Sequence, residues 1–239
     1  MRRMLPRAIL CDFDGTIVEQ DVSEELLASH GDPGWRAIDD AFVRGEIGSR
    51  ECATRQVAML GGTRDELVAE ALRGYRVDPT FAPFVTWCRD AGTEISVVSD
   101  GFGFYIEAML EAAGVDGVPV LTNRTVFSGT PSLEFPFAHP ECVGCGTCKR
   151  NAVLDARDRL GGPVAFVGEG HTDRYGALYA DLVFAKRYLP ELCDEMGISY
   201  VTWETFDDIR MALDVGVDAK ARAAPERCPG WTSADDVEK

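Results

Sequence analysis

The 239-residue chain has no apolar run near the roughly 20 residues that a helix needs to cross a bilayer. Its longest apolar stretches are strand-length, so a membrane is not expected as a partner. It is also short of positive charge: 24 Lys and Arg stand against 40 Asp and Glu, for a formal net charge of -16. Such a surface repels phosphate backbones, which argues against nucleic acid as a partner. A small anionic substrate stays open, because a local base or a metal can reverse the field inside a cleft. The start, MRRMLPRAIL, is basic and then apolar, but the apolar part is brief and runs straight into charge, unlike a signal peptide. A cytoplasmic protein is expected. Internal repeats are absent from the pattern. Apolar residues, at 46%, suffice for a real core, and the length suits one large domain or a core with an insert.

Strand-like and helix-like segments alternate. Residues 8–13, 93–98 and 164–167 read as buried strands, with shorter candidates at 182–185 and 199–202. Helical patterns fall at 103–113, 149–160, 172–179, 189–196 and 206–213. Alternation of this kind implies an α/β fold, a Rossmann-like doubly wound parallel sheet. Two segments break the rhythm. Residues 20–78 are helical almost throughout, with breakers at Gly31–Gly34, Gly45–Gly48 and Gly61–Gly62. They are expected to form about four short helices, an inserted helical cap. The core is then expected at 1–19 and 79–216. Residues 119–148 carry turn signals and clustered cysteines and are expected as a small hairpin projection within it. From 217 to 239 the chain is charged and weakly periodic, and a loose tail is expected.

The first strand ends in an unusual way. The run AILC leads into DFDGT, which places Asp12 and Asp14 two residues apart. Side chains two apart on an extended strand share a face, and ligands of open α/β sheets bind at the carboxyl ends of strands. Two carboxylates so close repel unless a cation joins them or one is protonated, and magnesium is a natural partner. The other strand ends are polar as well. ISVV is followed by Ser99 and Gly101, and AFV by GEGHTD with Glu169 and Asp173, while Lys149 opens a helix.

These four segments in this order resemble the motifs of the haloacid dehalogenase superfamily, and the helical insert is similar to its type-one cap. DFDGTIVEQD, VVSDGFGFYIEAML, CVGCGTCKR and VGEGHTDRYGALYADLVFAK look like the branch that holds phosphoserine phosphatase and a methionine-salvage phosphatase. The resemblance covers about residues 8–210. It implies a magnesium-dependent phosphatase that hydrolyses a small-metabolite phosphomonoester through an aspartyl-phosphate intermediate. By the same resemblance, Asp12 is the nucleophile and Asp14 the general acid and base, its backbone carbonyl on the metal. Ser99, Gly101 and Lys149 would bind phosphate, and Asp12, Asp14, Glu169 and Asp173 would set the Mg2+ site. The family pattern has Asp where this chain has Glu169, and the extra methylene displaces the carboxylate by about 1.5 Å.

Other readings of these residues stay open. Asp21 stands where this branch often has an acid facing substrate, and it also suits a helix N-cap before VSEELLAS. Trp35, Arg44, Arg55, Gln56 and Met59 are candidate cap contacts. His171 is either a substrate neighbour or a loop histidine, and Phe102, Phe104 and Tyr105 are expected to pack the following helix. His139, Cys142, Cys145 and Cys148 recur every three residues. Three readings fit them: a Zn2+ site, structural thiols or a disulfide, or a redox role or part of an iron–sulfur site with Cys228–Pro229 as a faint echo of the remote ligand. Two rival functions share the fold: a phosphomutase of the same superfamily, and a non-catalytic metal- or partner-binding module disabled by Glu169.

Overall fold

The computed structural model describes residues 5–217 and 224–237. In chain order it runs β1 (Ala8–Cys11), α1 (Val22–His30), α2 (Trp35–Val43), α3 (Ser49–Val57), α4 (Arg64–Gly74) and α5 (Phe81–Ala91). It continues through β2 (Glu94–Val98), α6 (Ile106–Ala112), β3 (Val120–Leu121), β4 (Arg124–Val126), β5 (Ser132–Glu134), α7 (Lys149–Leu160) and β6 (Val164–Gly168). A short 3-10 turn (His171–Asp173) then leads into α8 (Arg174–Tyr179), β7 (Leu182–Ala185), α9 (Leu189–Glu195), β8 (Val201–Thr202), α10 (Phe206–Val215) and α11 (Ala234–Val237). No helix among the described residues is long and apolar enough to cross a membrane.

Six parallel strands form one sheet in the order β3-β2-β1-β6-β7-β8, which is the doubly wound α/β fold. Central strands of such sheets are covered on both faces, so they read as continuous apolar runs. In β1, Ile9 and Cys11 join the core on one face with Val97, Val167 and Phe184. Ala8 and Leu10 point the other way, toward Val98, Val153 and Phe166. The period of two along an extended strand makes this division. The strand order reverses at β1, with β2 on one side and β6 on the other, and ligands of open α/β sheets bind at such a switch point. Asp12 follows β1 there, and Glu169 follows β6.

Helices α1 to α4 leave the core after β1 and return to it before α5. A backbone bridge between Val18 and Val77 closes the stem of this excursion, helped by the Asp78 N–H donating to the Ile17 carbonyl at 2.8 Å. Each of the three glycine breakers named above falls between two of these helices. At the last, Thr63 caps α4: its hydroxyl accepts from the Glu66 N–H, and Glu66 reaches back to the Thr63 N–H.

Three stretches differ from the sequence reading. Helix α5 gave no helical signal because Pro83 and the residues Phe81, Phe84, Val85, Thr86 and Trp87 are poor intrinsic helix formers. Pro is tolerated in a first turn, and burial of Phe81, Phe84, Val85 and Cys88 overrides propensity. Residues 120–121, assigned to the projection, form β3 and extend the main sheet; only β4 and β5 make a separate antiparallel hairpin. Part of the segment expected as a loose tail is tied down. The Tyr179 hydroxyl donates to the Pro225 carbonyl at 2.8 Å, Arg150 donates to the Glu226 carbonyl at 2.9 Å, and the Val143 N–H donates to the Thr232 carbonyl at 2.8 Å. Residues 218–223 and 238–239 of that segment lie outside the described residues.

Candidate active site

Lys149 begins α7 and is 2% exposed. Its ammonium donates to Asp12 Oδ1 at 2.8 Å, to Asp173 Oδ1 at 2.6 Å and to Thr172 Oγ1 at 3.1 Å. Burial alone would lower the lysine's pKa; the charges of Asp12 and Asp173 overcome this and hold it well above that of a free lysine. The ammonium is therefore a fixed charge at any working pH. Asp173 is held in turn by the N–H groups of Glu169 and Gly170, which donate to its Oδ2 at 2.8 and 2.9 Å.

Asp12, Glu169 and Asp173 bring one carboxylate oxygen each within 4.8 Å of one another. The crowding is visible in their acidities. Burial, then repulsion from Asp173, pushes Asp12 well above the usual carboxylate range despite Lys149. Glu169 is pushed to about 7, first by burial and then by Asp173. One ammonium does not neutralise this group of acids, and a hard cation with oxygen ligands does. The three acids thus fit Mg2+. The longer Glu169 is accommodated because Gly15 turns at φ +69°, and a Cβ there would lie 2.7 Å from the Glu169 carboxyl carbon. The side chain lies over that glycine, and its extra methylene does not take it out of the acid group.

Asp14 points away from this group. Its Oδ1 accepts from the Val22 N–H at 3.0 Å and its Oδ2 from the Tyr105 hydroxyl at 2.7 Å. Burial first, and Asp21 second, raise its pKa well above the ordinary value, so this carboxyl holds a proton more readily than a free one. Ser99 is buried, with its Oγ accepting from the Gly101 N–H at 3.1 Å. Asp21 is the N-cap of α1, accepting from the Glu24 N–H at 3.0 Å.

Above these groups lies a cavity of about 400 Å³, lined by Asp12, Asp14, Asp21, Ser99, Gly101 and Glu169, among others. The α1–α3 side contributes Ser23, Glu24, Asp39, Phe42, Val43 and Gln56. Of the five candidate cap contacts only Gln56 lines it. Arg44 and Arg55 pair with Glu46 and Glu51 on the surface, and Trp35 and Met59 pack into the core. His171 lines the cavity between Phe42 and Tyr188.

Two positioning residues escaped the sequence reading. Tyr105 packs against Phe13 and Phe104, and its hydroxyl also reaches Asp14 and Ser23 Oγ, the latter at 2.7 Å. Asp100, beside Ser99, accepts from Ser49 Oγ at 2.5 Å and from the Thr147 N–H at 2.7 Å. It fastens the loop after β2 to the start of α3 and to the loop before Lys149. Tyr105 gave no signal in sequence, whereas Asp100 stands inside the quoted SDG.

The cysteine stretch holds thiols, not a disulfide: all eight cysteines are free. His139 packs edge-on against Trp231, and its Nδ1 accepts from the Glu141 N–H at 3.1 Å. It shares a small cavity with Cys142, Cys145, Cys148 and, from the C-terminal segment, Cys228. Among the described residues only the Asp12, Glu169 and Asp173 set brings three ligand atoms within 4.8 Å of one another, so a zinc site at His139, Cys142, Cys145 and Cys148, one of the three readings of that stretch, is not shown.

Comparison with known proteins agrees with this geometry. The chain is 30% identical over 205 residues to a 2-hydroxy-3-keto-5-methylthiopentenyl-1-phosphate phosphatase of Brevibacillus brevis, covering 84% of this chain and 92% of that protein. The same identity holds over 209 residues with the phosphatase of that name in Geobacillus kaustophilus, covering 86% and 94%. Among solved structures, a substrate-bound phosphoserine phosphatase superposes with a TM-score of 0.65 at 19% identity, covering 90% of this chain and all of that one. The model of the haloacid dehalogenase-like hydrolases matches residues 9–177. By that match, which spans well over half its length, the chain belongs to the haloacid dehalogenase-like hydrolases.

Proposed function

We propose that the chain is a phosphomonoesterase acting on a small metabolite by way of a phosphoryl group carried on Asp12. The observation that carries this reading is the placement of Asp12 at the switch point of the sheet. There it is paired to a buried lysine, grouped with two further acids, and roofed by a cavity of substrate size. Asp12 attacks phosphorus, and a covalent intermediate divides one difficult displacement into two easier ones. Asp14, whose environment favours a retained proton, gives it to the leaving oxygen and later takes one from the attacking water. Lys149, the Ser99 hydroxyl and the Gly101 amide hold the phosphate oxygens on which charge gathers. Asp12, Asp173, Glu169 and the Asp14 carbonyl would hold Mg2+, which supplies charge neutralisation between the carboxylates and the phosphate. Helices α1 to α4 serve as the cap, which closes over the site and excludes water.

The lining of the cavity narrows the substrate. Its charged groups are acids, including Asp21, Glu24 and Asp39, and no Lys or Arg among the described residues lines it. A carboxylate or second phosphate on the leaving group would meet repulsion there. We therefore read the substrate as a monophosphate whose remainder is uncharged or cationic, which also weighs against a bisphosphate-dependent mutase. The phosphate named for the two bacterial relatives, an otherwise uncharged keto, hydroxy and methylthio chain, is of this kind. The test is a phosphate-release panel with magnesium or with EDTA. Turnover of p-nitrophenyl phosphate and of uncharged-tail monophosphates is expected, lost with EDTA, with phosphocarboxylates and bisphosphates at least about tenfold poorer in kcat/KM. Turnover insensitive to EDTA would remove the mechanism, and no turnover across the panel would favour a non-catalytic module.

Tyr105 supplies a further check. Tyr105→Phe removes the hydroxyl that orients Asp14 but keeps the packing. It is expected to lower kcat by about tenfold to a hundredfold, up to the lower end of the roughly hundredfold to ten-thousandfold that general acid–base catalysis contributes, with little change in KM. An unaltered kcat would show that the hydroxyl does not position Asp14.

A further inference from the structure

The three cysteines before Lys149 are joined in space by Cys228, from the far end of the chain. Cys142, Cys145, Cys148 and Cys228 line one cavity of about 20 Å³, with Tyr175 and Trp231 among its walls. The two ends of this group are built alike. In Cys142-Val143-Gly144 the Gly144 N–H donates to Cys142 Sγ at 3.4 Å, and Cys228-Pro229-Gly230 repeats the Cys-x-Gly order. The Thr232 N–H adds a bond to Cys142 Sγ at 3.5 Å. Amide donors aimed at sulfur stabilise thiolate charge, as at iron–sulfur ligands.

The spacing of the sulfurs separates a single ion from a cluster. Four thiolates around one zinc lie about 3.8 Å apart, given a Zn–S bond of about 2.3 Å in a tetrahedron. Here no three of the four sulfurs come within 4.8 Å of one another. The room between them exceeds the roughly 10–15 Å³ that a water-sized sphere requires, whereas thiolates in contact with one ion leave none. A cubane cluster brings its own sulfides and holds its cysteines farther apart. The order of the ligands agrees, because C-x-x-C-x-x-C with a remote Cys-Pro is a four-iron pattern, and this chain has CVGCGTC and Cys228–Pro229.

We propose that Cys142, Cys145, Cys148 and Cys228 bind a [4Fe–4S] cluster. The cluster arrives with a donor thiolate on each iron; each cysteine sulfur displaces one of them, four Fe–S bonds forming as four break, the four cysteine protons pass to the departing thiolates, and no electron is transferred. Burial pushes the thiols of Cys145, Cys148 and Cys228 up, so iron, not local charge, drives their deprotonation. The cluster ties the C-terminal segment to the start of α7, where Cys148 is the N-cap and Lys149 the next residue.

The test is metal and sulfide analysis of the full chain purified without oxygen, before and after reconstitution with equal amounts of ferrous and ferric iron, and sulfide. About four irons and four acid-labile sulfides per chain are expected, with thiolate-to-iron charge-transfer absorption. Cys228→Ser and Cys142→Ser are expected to lose most of both, while Cys88→Ala, in the core away from the group, keeps them. Should the serine variants fail to fold, the iron and sulfide content of the unaltered chain still decides. Stoichiometric zinc in place of iron overturns the proposal. So does a chain that takes up neither iron nor sulfide and whose four thiols all react with an alkylating agent. Neither result bears on the phosphatase reading, whose own test is magnesium-dependent turnover.

Discussion

Replacing Asp12 by Asn is expected to reduce phosphate release by at least about a thousandfold, since removal of a nucleophile from a catalytic unit typically has effects of that size or larger. The amide has nearly the shape of the carboxylate, so packing around β1 is preserved. Two functions are lost together. The amide cannot carry the phosphoryl group, and it removes one anionic ligand from the set shared with Glu169 and Asp173. Lys149 retains Asp173 and Thr172 as partners, so the fold should survive. A far-ultraviolet spectrum and melting temperature close to those of the parent, beside absent turnover, are the expected pair of readings. Turnover within tenfold of the parent would mean that another group attacks phosphorus.

Lys149→Met is expected to act on stability first. The ammonium is 2% exposed and lies between two carboxylates that are themselves almost fully buried. A methionine fills similar volume but leaves Asp12 and Asp173 facing each other with no cation. Removing one partner of a buried pair costs about 3–5 kcal/mol. Denaturation in EDTA should show a loss of that order, and added magnesium should recover part of it by binding the acids of the folded state. A loss under about 1 kcal/mol in EDTA, the value typical of an exposed pair, would contradict the buried geometry. Catalysis falls as well, since the variant lacks the positive charge that holds phosphate.

Much of this arrangement was legible in the chain because local and global signals agree there. AILC is buried on both sides, and so are the residues of β6 and β7; their apolar runs announce central parallel strands without tertiary information. Asp12, Ser99 and the acids after β6 stand where strands end and the fold exposes side chains to ligands, whereas Lys149 was singled out only by the order of the motifs in the family it resembles. Helix α5 was missed because tertiary burial outweighs its weak propensity. Tyr105 was read only as packing, since an aromatic at a helix start looks the same in sequence whether or not its hydroxyl meets a carboxylate 91 residues away in the chain. The link of Cys228 to the three earlier cysteines was faintly legible in Cys228–Pro229, but the path of residues 224–237 that brings it beside them was not, because the segment is weakly periodic. Glu169 is the reverse case. Its extra methylene looked like a defect, and the geometry shows that the turn at Gly15 makes room for it.

The most direct test of the central claim is the mass of the peptide that carries Asp12 after the enzyme is quenched in acid during turnover. The account predicts a single phosphoryl group on Asp12, present with substrate and magnesium and absent without either. Phosphate released at every quench time with no adduct on any peptide, or an adduct on a different side chain, would contradict it.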